Sequence, residues 1–299
     1  MSMTPAEKAK KTREENKARE AMLTEEVGLE PITMLSKDLK SAFFKGKVEV
    51  SKNEIRFLVE LYYKVQEMRK ATGGQIRAAE EAGDSAHLLW WFHRGQVKVE
   101  RQIYTIMDVW TDKFEAARWA KSVFGIGPVL SAGLQAHVDL DRTTTYSKMI
   151  RFGGWDPTVI WRKGEKRPWN PALKKLFWLI GDGFMKRWNH PRCKYGHFIK
   201  RKWDLEKLRN ERGDFADSAV YSLEDKKYGK TTEAYKHYKE GRLPPARILL
   251  RAERKGVKLF LSHWYETAYA VHYGKPAPEC YQFVHMEGHT KIEKEEMAG

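Results

Sequence analysis

The hydrophobic positions of the chain recur mainly at helical spacing, and no run of apolar and polar residues alternates as a half-buried strand does. A capping box at Ser51–Glu54 starts a helix whose apolar residues, from Ile55 to Val65, fall on one face. A turn at Gly83–Ser85 precedes a second apolar stripe, from Val99 to Trp110. The pattern predicts a long antiparallel helical hairpin over residues 51–118, whose stripes form a core or the seam of a dimer.

A two-glycine turn follows this hairpin. One helix is expected to end near Phe124 and another to begin at Pro128, where the missing N–H costs nothing. Gly125 and Gly127 flank Ile126, which is expected to point into the core. Outward-facing N–H groups at a helix N-terminus bind phosphate, and the pattern resembles the helix-hairpin-helix DNA-binding motif. An ordinary helix–helix turn is the alternative.

Further helix signals continue to the end of the chain. Asn170-Pro171 starts a helix through Phe184, and Pro244-Pro245 starts a long helix that Gly274 terminates. The sequence therefore predicts an all-α fold: a long N-terminal helical hairpin, then a helix-hairpin-helix region and a C-terminal helical bundle. The predicted segments are a charged helical arm (1–30), the hairpin scaffold (31–118), the helix-hairpin-helix and basic aromatic region (119–212), and a C-terminal helical region with a tail (213–299).

The net charge of +15, from 55 Lys and Arg against 40 Asp and Glu, favours polyanionic partners. Residues 162–212 hold sixteen of these cations against five acids, and six of the eleven tryptophans lie between Trp155 and Trp203. Cations displace counterions from phosphates and exposed rings stack on unpaired bases, although Trp178 is expected in the core. The expected DNA-binding residues are Lys121, Gly125, Ile126, Gly127, Pro128, Val129, Arg151, Trp161, Arg162, Lys163, Lys166 and Arg167.

Other features narrow the class of protein. No apolar run approaches the length of about 20 residues that spans a bilayer, and the charged start of the chain has no signal-peptide centre. Two cysteines are too few for a disulfide framework. We expect a soluble protein of the bacterial or phage-infected cytoplasm, with duplex or branched DNA as partner and RNA as an alternative. The helical hairpin is a candidate for homo-oligomerisation, and no membrane partner is expected.

The run from Phe124 to Leu176 resembles the C-terminal domain of the DEDD-type insertion-sequence transposases. In that family a Gly-Ile-Gly-Pro hairpin is followed by an acidic turn, a segment of the form aromatic-Ala/Gly-Gly-Leu-x-Pro, and a basic helix. The corresponding elements here are Gly125–Pro128, Asp139–Asp141, Phe152–Pro157 and the helix from Asn170. The overall make-up is also similar to phage and prophage transposase-like helix-hairpin-helix proteins.

Two departures concern catalysis. The transposases carry an N-terminal α/β nuclease domain with four acidic metal ligands, whereas residues 1–118 here have no strand pattern. The family's nucleophilic serine lies just after the proline, and the matching positions Ile160–Gly164 contain no serine. The resemblance therefore implies DNA binding and does not imply strand transfer.

Enzymatic and metal-binding alternatives remain open from the sequence. An acidic cluster of Glu211, Asp214 and Asp217 lies in the basic region. These carboxylates either hold Mg²⁺ for a nuclease, or for a DNA transposase or recombinase with a non-standard active site, or they cap helices and pair with arginines. A structural protein with a basic face for an acidic partner is a further alternative. No cofactor is expected otherwise. Two short clusters offer zinc ligands at spacings unlike a standard finger, namely His190, Cys193 and His197, and Cys280, His285 and His289.

Overall fold

The computed structural model describes residues 4–25, 28, 49–280 and 291–297, and every regular element in those ranges is a helix. The predicted all-α class is confirmed. The α-helices in these ranges are α1 (Pro5–Glu25), α2 (Lys52–Glu81), α3 (His87–Thr111), α4 (Glu115–Ser122), α5 (Pro128–His137), α6 (Tyr146–Phe152), α7 (Pro171–Met185), α8 (Lys194–Glu211), α9 (Ala216–Asp225), α10 (Glu233–Lys239) and α11 (Pro245–Tyr273). A short 3₁₀ helix follows at Lys294–Met297.

The chain divides into two compact units, Met1–Trp110 and Thr111–Gly299. The segments predicted separately as 119–212 and 213–299 both lie in the second unit, because α11 packs against α4, α6, α7 and α8. The two-glycine turn and the last long helix are therefore parts of one core.

In the first unit, α2 and α3 form the predicted antiparallel pair. The capping box at the start of α2 is present, with the backbone N–H of Ser51 donating to Glu54 Oε2 at 2.8 Å. Arg69 binds Glu100 across the pair, and further along α2 Glu80 Oε1 accepts from Trp90 Nε1 at 3.2 Å. The later residue on α2, Glu80, pairs with the earlier residue on α3, Trp90, so the two helices run in opposite directions.

The hairpin also exposes apolar side chains on both helices. Phe57 and Met68 on α2 are 70% and 58% exposed, and Leu88 and Phe92 on α3 are 61% and 57% exposed. Each pair has helical spacing that keeps it on one face of its helix. Association of two chains through the hairpin stays a prediction.

The core of the second unit forms around α11. Phe260, Leu261 and Trp264 are almost fully buried there. The close approach of α11 to α8 requires Gly256, since a Cβ at that position would lie 2.2 Å from Ile199 Cγ1. A smaller cluster, containing Phe215, joins α9 and α10 to the start of α11. These contacts fix α7 and α8 beside α11.

A histidine and a glutamate of α11 are buried in this core. His263 receives a 2.7 Å hydrogen bond at Nδ1 from the Tyr195 hydroxyl, and its Nε2 lies 2.8 Å from the carbonyl of Ile292. Because a carbonyl only accepts, Nε2 carries the proton and the neutral ring accepts at Nδ1. Burial lowers the pKa of His263. Burial next to Asp182 raises the pKa of Glu253 to about 7.

None of the helices in the described ranges combines the length and the apolar character needed to cross a bilayer.

Candidate nucleic-acid interface

The turn between α4 and α5 has a different role for each glycine. Gly125 has φ of +105°, and a Cβ there would lie 3.2 Å from the ring of Phe184. Ile126 is buried, as its apolar side chain predicts. Gly127 is extended, and a Cβ on it would meet nothing within 4 Å. The turn therefore packs inward through Gly125 and Ile126 and opens outward at Gly127.

The N-terminus of α5 is suited to an anion. Gly127 supplies no capping side chain and Pro128 has no N–H. The N–H groups of Val129 and Leu130 lie in the first turn, where a helix offers them no acceptor. Aligned peptide dipoles add a partial positive charge at this end. Pro128 and Val129 are buried residues, so their side chains offer no contact to a ligand.

Three cationic or polar side chains from the loop after α7 surround this turn. The imidazole of His190 stacks on Phe124 with ring centroids 4.1 Å apart, and the guanidinium of Arg192 lies 5.3 Å from the same ring. Arg187 donates to the carbonyl of Gly183 at 3.1 Å, beside Gly125. Sequence reasoning did not place Arg187 and Arg192 at the turn, and it grouped His190 with metal ligands.

The packing of α5 on α7 explains why these residues were missed. A Cβ at Gly133 would lie 2.8 Å from Leu176, near the middle of α7, whereas Gly125 faces Phe184 at its end. The two helices are therefore antiparallel, and the turn meets the C-terminal end of α7. No local sequence signal specifies which end of α7 faces the turn.

Lys121, which was expected to extend the footprint, is already paired. Its Nζ lies 2.5 Å from Asp112 Oδ1, and its side chain is only 16% exposed. Its charge is therefore balanced within the second unit.

The other predicted cations lie on or beside the loop that precedes α7. Trp161 donates through Nε1 to the carbonyl of Glu165 at 2.8 Å, and its ring meets Trp169 edge-on at 6.2 Å. The guanidinium of Arg167 lies 5.3 Å from the Trp161 ring. Trp161 thus organises its own loop. The remaining predicted cations, all exposed, are Arg151, Arg162, Lys163 and Lys166.

A group of four cations, which we call the α7 N-terminal cluster, consists of Arg167, Lys174, Arg254 and Lys258. The Nζ of Lys174 lies 4.1 Å from the Trp169 ring, and burial together with Arg254 and Arg167 lowers the pKa of Lys174. Burial and Arg254 also lower the pKa of Lys258, against the opposing effect of Asp156. The cluster has an excess of positive charge and is therefore suited to an anion.

The two basic regions lie at opposite ends of α7. The helix has 15 residues, which corresponds to about 21 Å at a rise of about 1.5 Å per residue. The predicted footprint is therefore divided. Gly125–Val129 lies at one end with Arg187, His190 and Arg192, and Arg162–Arg167 lies at the other end with Lys174.

Trp178 is exposed, and the expectation that it belongs to the core is wrong. All eleven tryptophans fall in the range 49–280, and Trp178, at 48% exposure, is the only one among the exposed large hydrophobic residues. The buried face of α7 centres on Leu173, Phe177 and Ile180. At 100° per residue, Trp178 points about 140° away from that face. Trp178 is apolar and follows the buried Phe177 directly, but consecutive residues of a helix point in directions about 100° apart.

Other cations in and near the basic region form ion pairs with a buried carboxylate. Glu206 is buried on α8 and binds Arg251 Nε at 2.9 Å, Lys255 and, at 3.5 Å, Arg209. Burial opposes ionisation, but hydrogen bonds from Lys255 and Arg251 hold the pKa of Glu206 below its usual value. These side chains stabilise the contact between α8 and α11.

The acidic candidates do not assemble into a metal site. Asp214 accepts from Arg209 at 3.0 Å and from Arg212 at 2.9 Å, and these bonds lower its pKa. Glu211 and Asp217 are exposed. Within the described ranges, no three His, Cys, Asp or Glu side chains group as metal ligands. Asp214 therefore has the arginine-paired arrangement that was the alternative to Mg²⁺ binding.

Among the zinc candidates that the structure describes, no three side chains group as metal ligands either. His190 accepts from the backbone N–H of Arg192 at Nδ1, whereas Cys193 is buried with Sγ 3.8 Å from the carbonyl of Phe184. His197 lies on α8. Cys280 is buried, and burial raises its pKa to about 11. His285 and His289 lie outside the described residues.

Comparison with known proteins gives no match to a family model, a curated protein or a solved structure.

Proposed function

We propose that the protein is a transposase-like, helix-hairpin-helix DNA-binding protein that grips the phosphate backbone. The observation that carries this proposal is the open N-terminus of α5 at Gly127, in a turn that has Arg187 beside Gly125 and Arg192 beside Phe124. A phosphate oxygen bound there accepts from the N–H groups of the first turn, and the guanidinium groups balance its charge.

The proposed contacts give affinity without strong sequence preference. Backbone N–H groups and arginines at phosphates carry no information about the bases. The α7 N-terminal cluster provides a second positively charged region about 21 Å away, a separation that corresponds to about six base pairs along the axis of a duplex. Two such regions favour a polynucleotide over a mononucleotide. A DNA ligand also agrees with a cytoplasmic location.

Gly127→Asp tests the proposal, with Gly127→Ala as the matched control. Aspartate is a preferred N-cap residue, so the variant is expected to fold and to retain α5. Its carboxylate occupies the position proposed for the phosphate, and we expect at least a tenfold loss of affinity for duplex DNA at fixed salt. Alanine adds only a methyl group in open space and is expected to bind as the wild type does.

Binding is measured by fluorescence anisotropy with a labelled 20-base-pair duplex, and folding by thermal unfolding. A folded Gly127→Asp protein with wild-type affinity contradicts the role of the turn. Absence of any salt-dependent binding by the wild type contradicts the proposed function as a whole.

A further inference from the structure

We propose that this protein binds nucleic acid with unpaired bases, and that Trp178 is the surface on which one such base stacks. This inference rests on the proposed function and names its preferred ligand: a single strand, or a duplex with unpaired nucleotides.

The exposure of Trp178 is the first support. An indole that is half exposed on a helix surface contributes less to packing than a core tryptophan, and tryptophan is enriched among the residues that dominate binding interfaces. The ring is 48% exposed, whereas Trp110 and Trp264 are 2% and 1% exposed. The other tryptophans of the basic region pack on partners such as Phe177 or Trp203. Trp178 thus differs from the rings that organise the fold.

The charges beside Trp178 are the second support. Lys174 precedes Trp178 by four residues and therefore lies on the adjacent strip of the α7 surface. Arg254, on α11, acts on Lys174 electrostatically, and it acts on Lys258 in the same way. An aromatic ring beside cations is the arrangement that takes a base and its phosphate together.

The position of the ring favours an unpaired base. In a duplex the faces of the bases are covered by their neighbours, so a side chain in a groove meets base edges. Trp178 projects from the middle of α7, about 10 Å along the axis from each end. A flexible strand can place a base on the ring and its flanking phosphates near Lys174, whereas a regular duplex offers no face for stacking.

The test compares Trp178→Ala, Trp178→Phe and the wild type on two labelled ligands, a 15-nucleotide oligothymidine and a 20-base-pair duplex, at the same salt concentration. Leu250→Ala is the matched control because Leu250 is an exposed apolar residue in the same unit. All substituted side chains are exposed, so the variants are expected to keep the wild-type fold.

We expect Trp178→Ala to lose about tenfold in affinity for oligothymidine, the effect of removing one stacked base. Its duplex affinity is expected to stay within twofold of the wild type, and Phe is expected to restore most of the single-strand affinity. Quenching of tryptophan fluorescence by oligothymidine provides a second readout. Trp178→Phe is expected to reduce this quenching, because it removes the fluorescent indole while it keeps an aromatic ring for stacking.

Equal loss on both ligands, or no loss on oligothymidine, overturns the inference. A Trp178 that serves an apolar protein partner gives the second of these results. In either case the proposed function still stands if Gly127→Asp reduces duplex binding while Gly127→Ala does not. If the wild type binds neither ligand, the proposed function fails first.

Discussion

The ring of Phe124 lies almost parallel to the imidazole of His190, with centroids 4.1 Å apart and planes inclined by 13°. Phe124 ends the segment before Gly125, and His190 belongs to the loop between α7 and α8. This stack therefore holds the loop against the two-glycine turn. Arg192 lies over the same phenyl ring, so its guanidinium is held beside the residue that precedes the two-glycine turn.

Removal of the two arginines beside the turn is expected to reduce the salt dependence of DNA binding. Each cation at a phosphate contributes about 0.9 to the slope of log K against log salt, so Arg187→Gln with Arg192→Gln lowers the slope by about 1.8. Titrations at four salt concentrations measure this slope. Lys236→Gln with Lys239→Gln on α10 removes the same net charge elsewhere and is expected to leave the slope nearly unchanged. Equal changes in both double variants would indicate diffuse attraction by net charge.

The contact between α8 and α11 is expected to be sensitive to a single methyl group. Gly256→Ala places a Cβ 2.2 Å from Ile199 Cγ1, and relief of this overlap is expected to lower the free energy of unfolding by about 1–3 kcal/mol. In an Ile199→Ala background the same substitution fills vacated space and replaces a helical glycine, so its cost is expected to disappear. A double-mutant cycle in chemical denaturation measures the coupling, and additive effects would contradict this account of the interface.

The stability of the second unit is expected to depend on the protonation of Glu253, in addition to that of Glu266, whose pKa burial also raises. The pKa of Glu253 is about 7 in the folded protein and 4.5 ordinarily, so the folded state holds the proton more tightly. This contribution to stability is fully present below pH 4.5 and is lost as the pH rises through 7. Its size is on the order of 3 kcal/mol, from a shift of about 2.5 pKa units.

Glu253→Gln removes the fall of stability with rising pH that Glu253 causes. The opposite pH dependence, which His263 causes, then becomes visible. Burial lowers the pKa of His263 from 6.5, so protonation at lower pH destabilises the folded state. In the variant, stability is expected to rise with pH up to about 6.5 and then to level off. Urea unfolding from pH 4.5 to 8 measures both curves. A variant whose stability falls as steeply as that of the wild type while the pH rises toward 7 would contradict the assignment to Glu253.

Local signals predicted the helices well because capping and apolar periodicity act over a few residues. Asn170 caps α7 as expected, with Oδ1 accepting from the N–H groups of Ala172 and Leu173 at 3.0 and 3.1 Å. Gly274 ends α11 in the left-handed conformation, with φ of 65°. The same local rules identified the two-glycine turn and the burial of Ile126.

The composition of the candidate site was less predictable, because it depends on which helix surfaces pack together. The sequence by itself determined the helical class, the turn at Gly125–Pro128 and the concentration of cations after it. Only the tertiary structure decided that Arg187 and Arg192 lie beside the turn, that Arg254 lies beside Lys174, and that Trp178 is exposed. Those relationships follow from contacts between residues distant in the chain, such as Gly256 with Ile199, which no local pattern encodes.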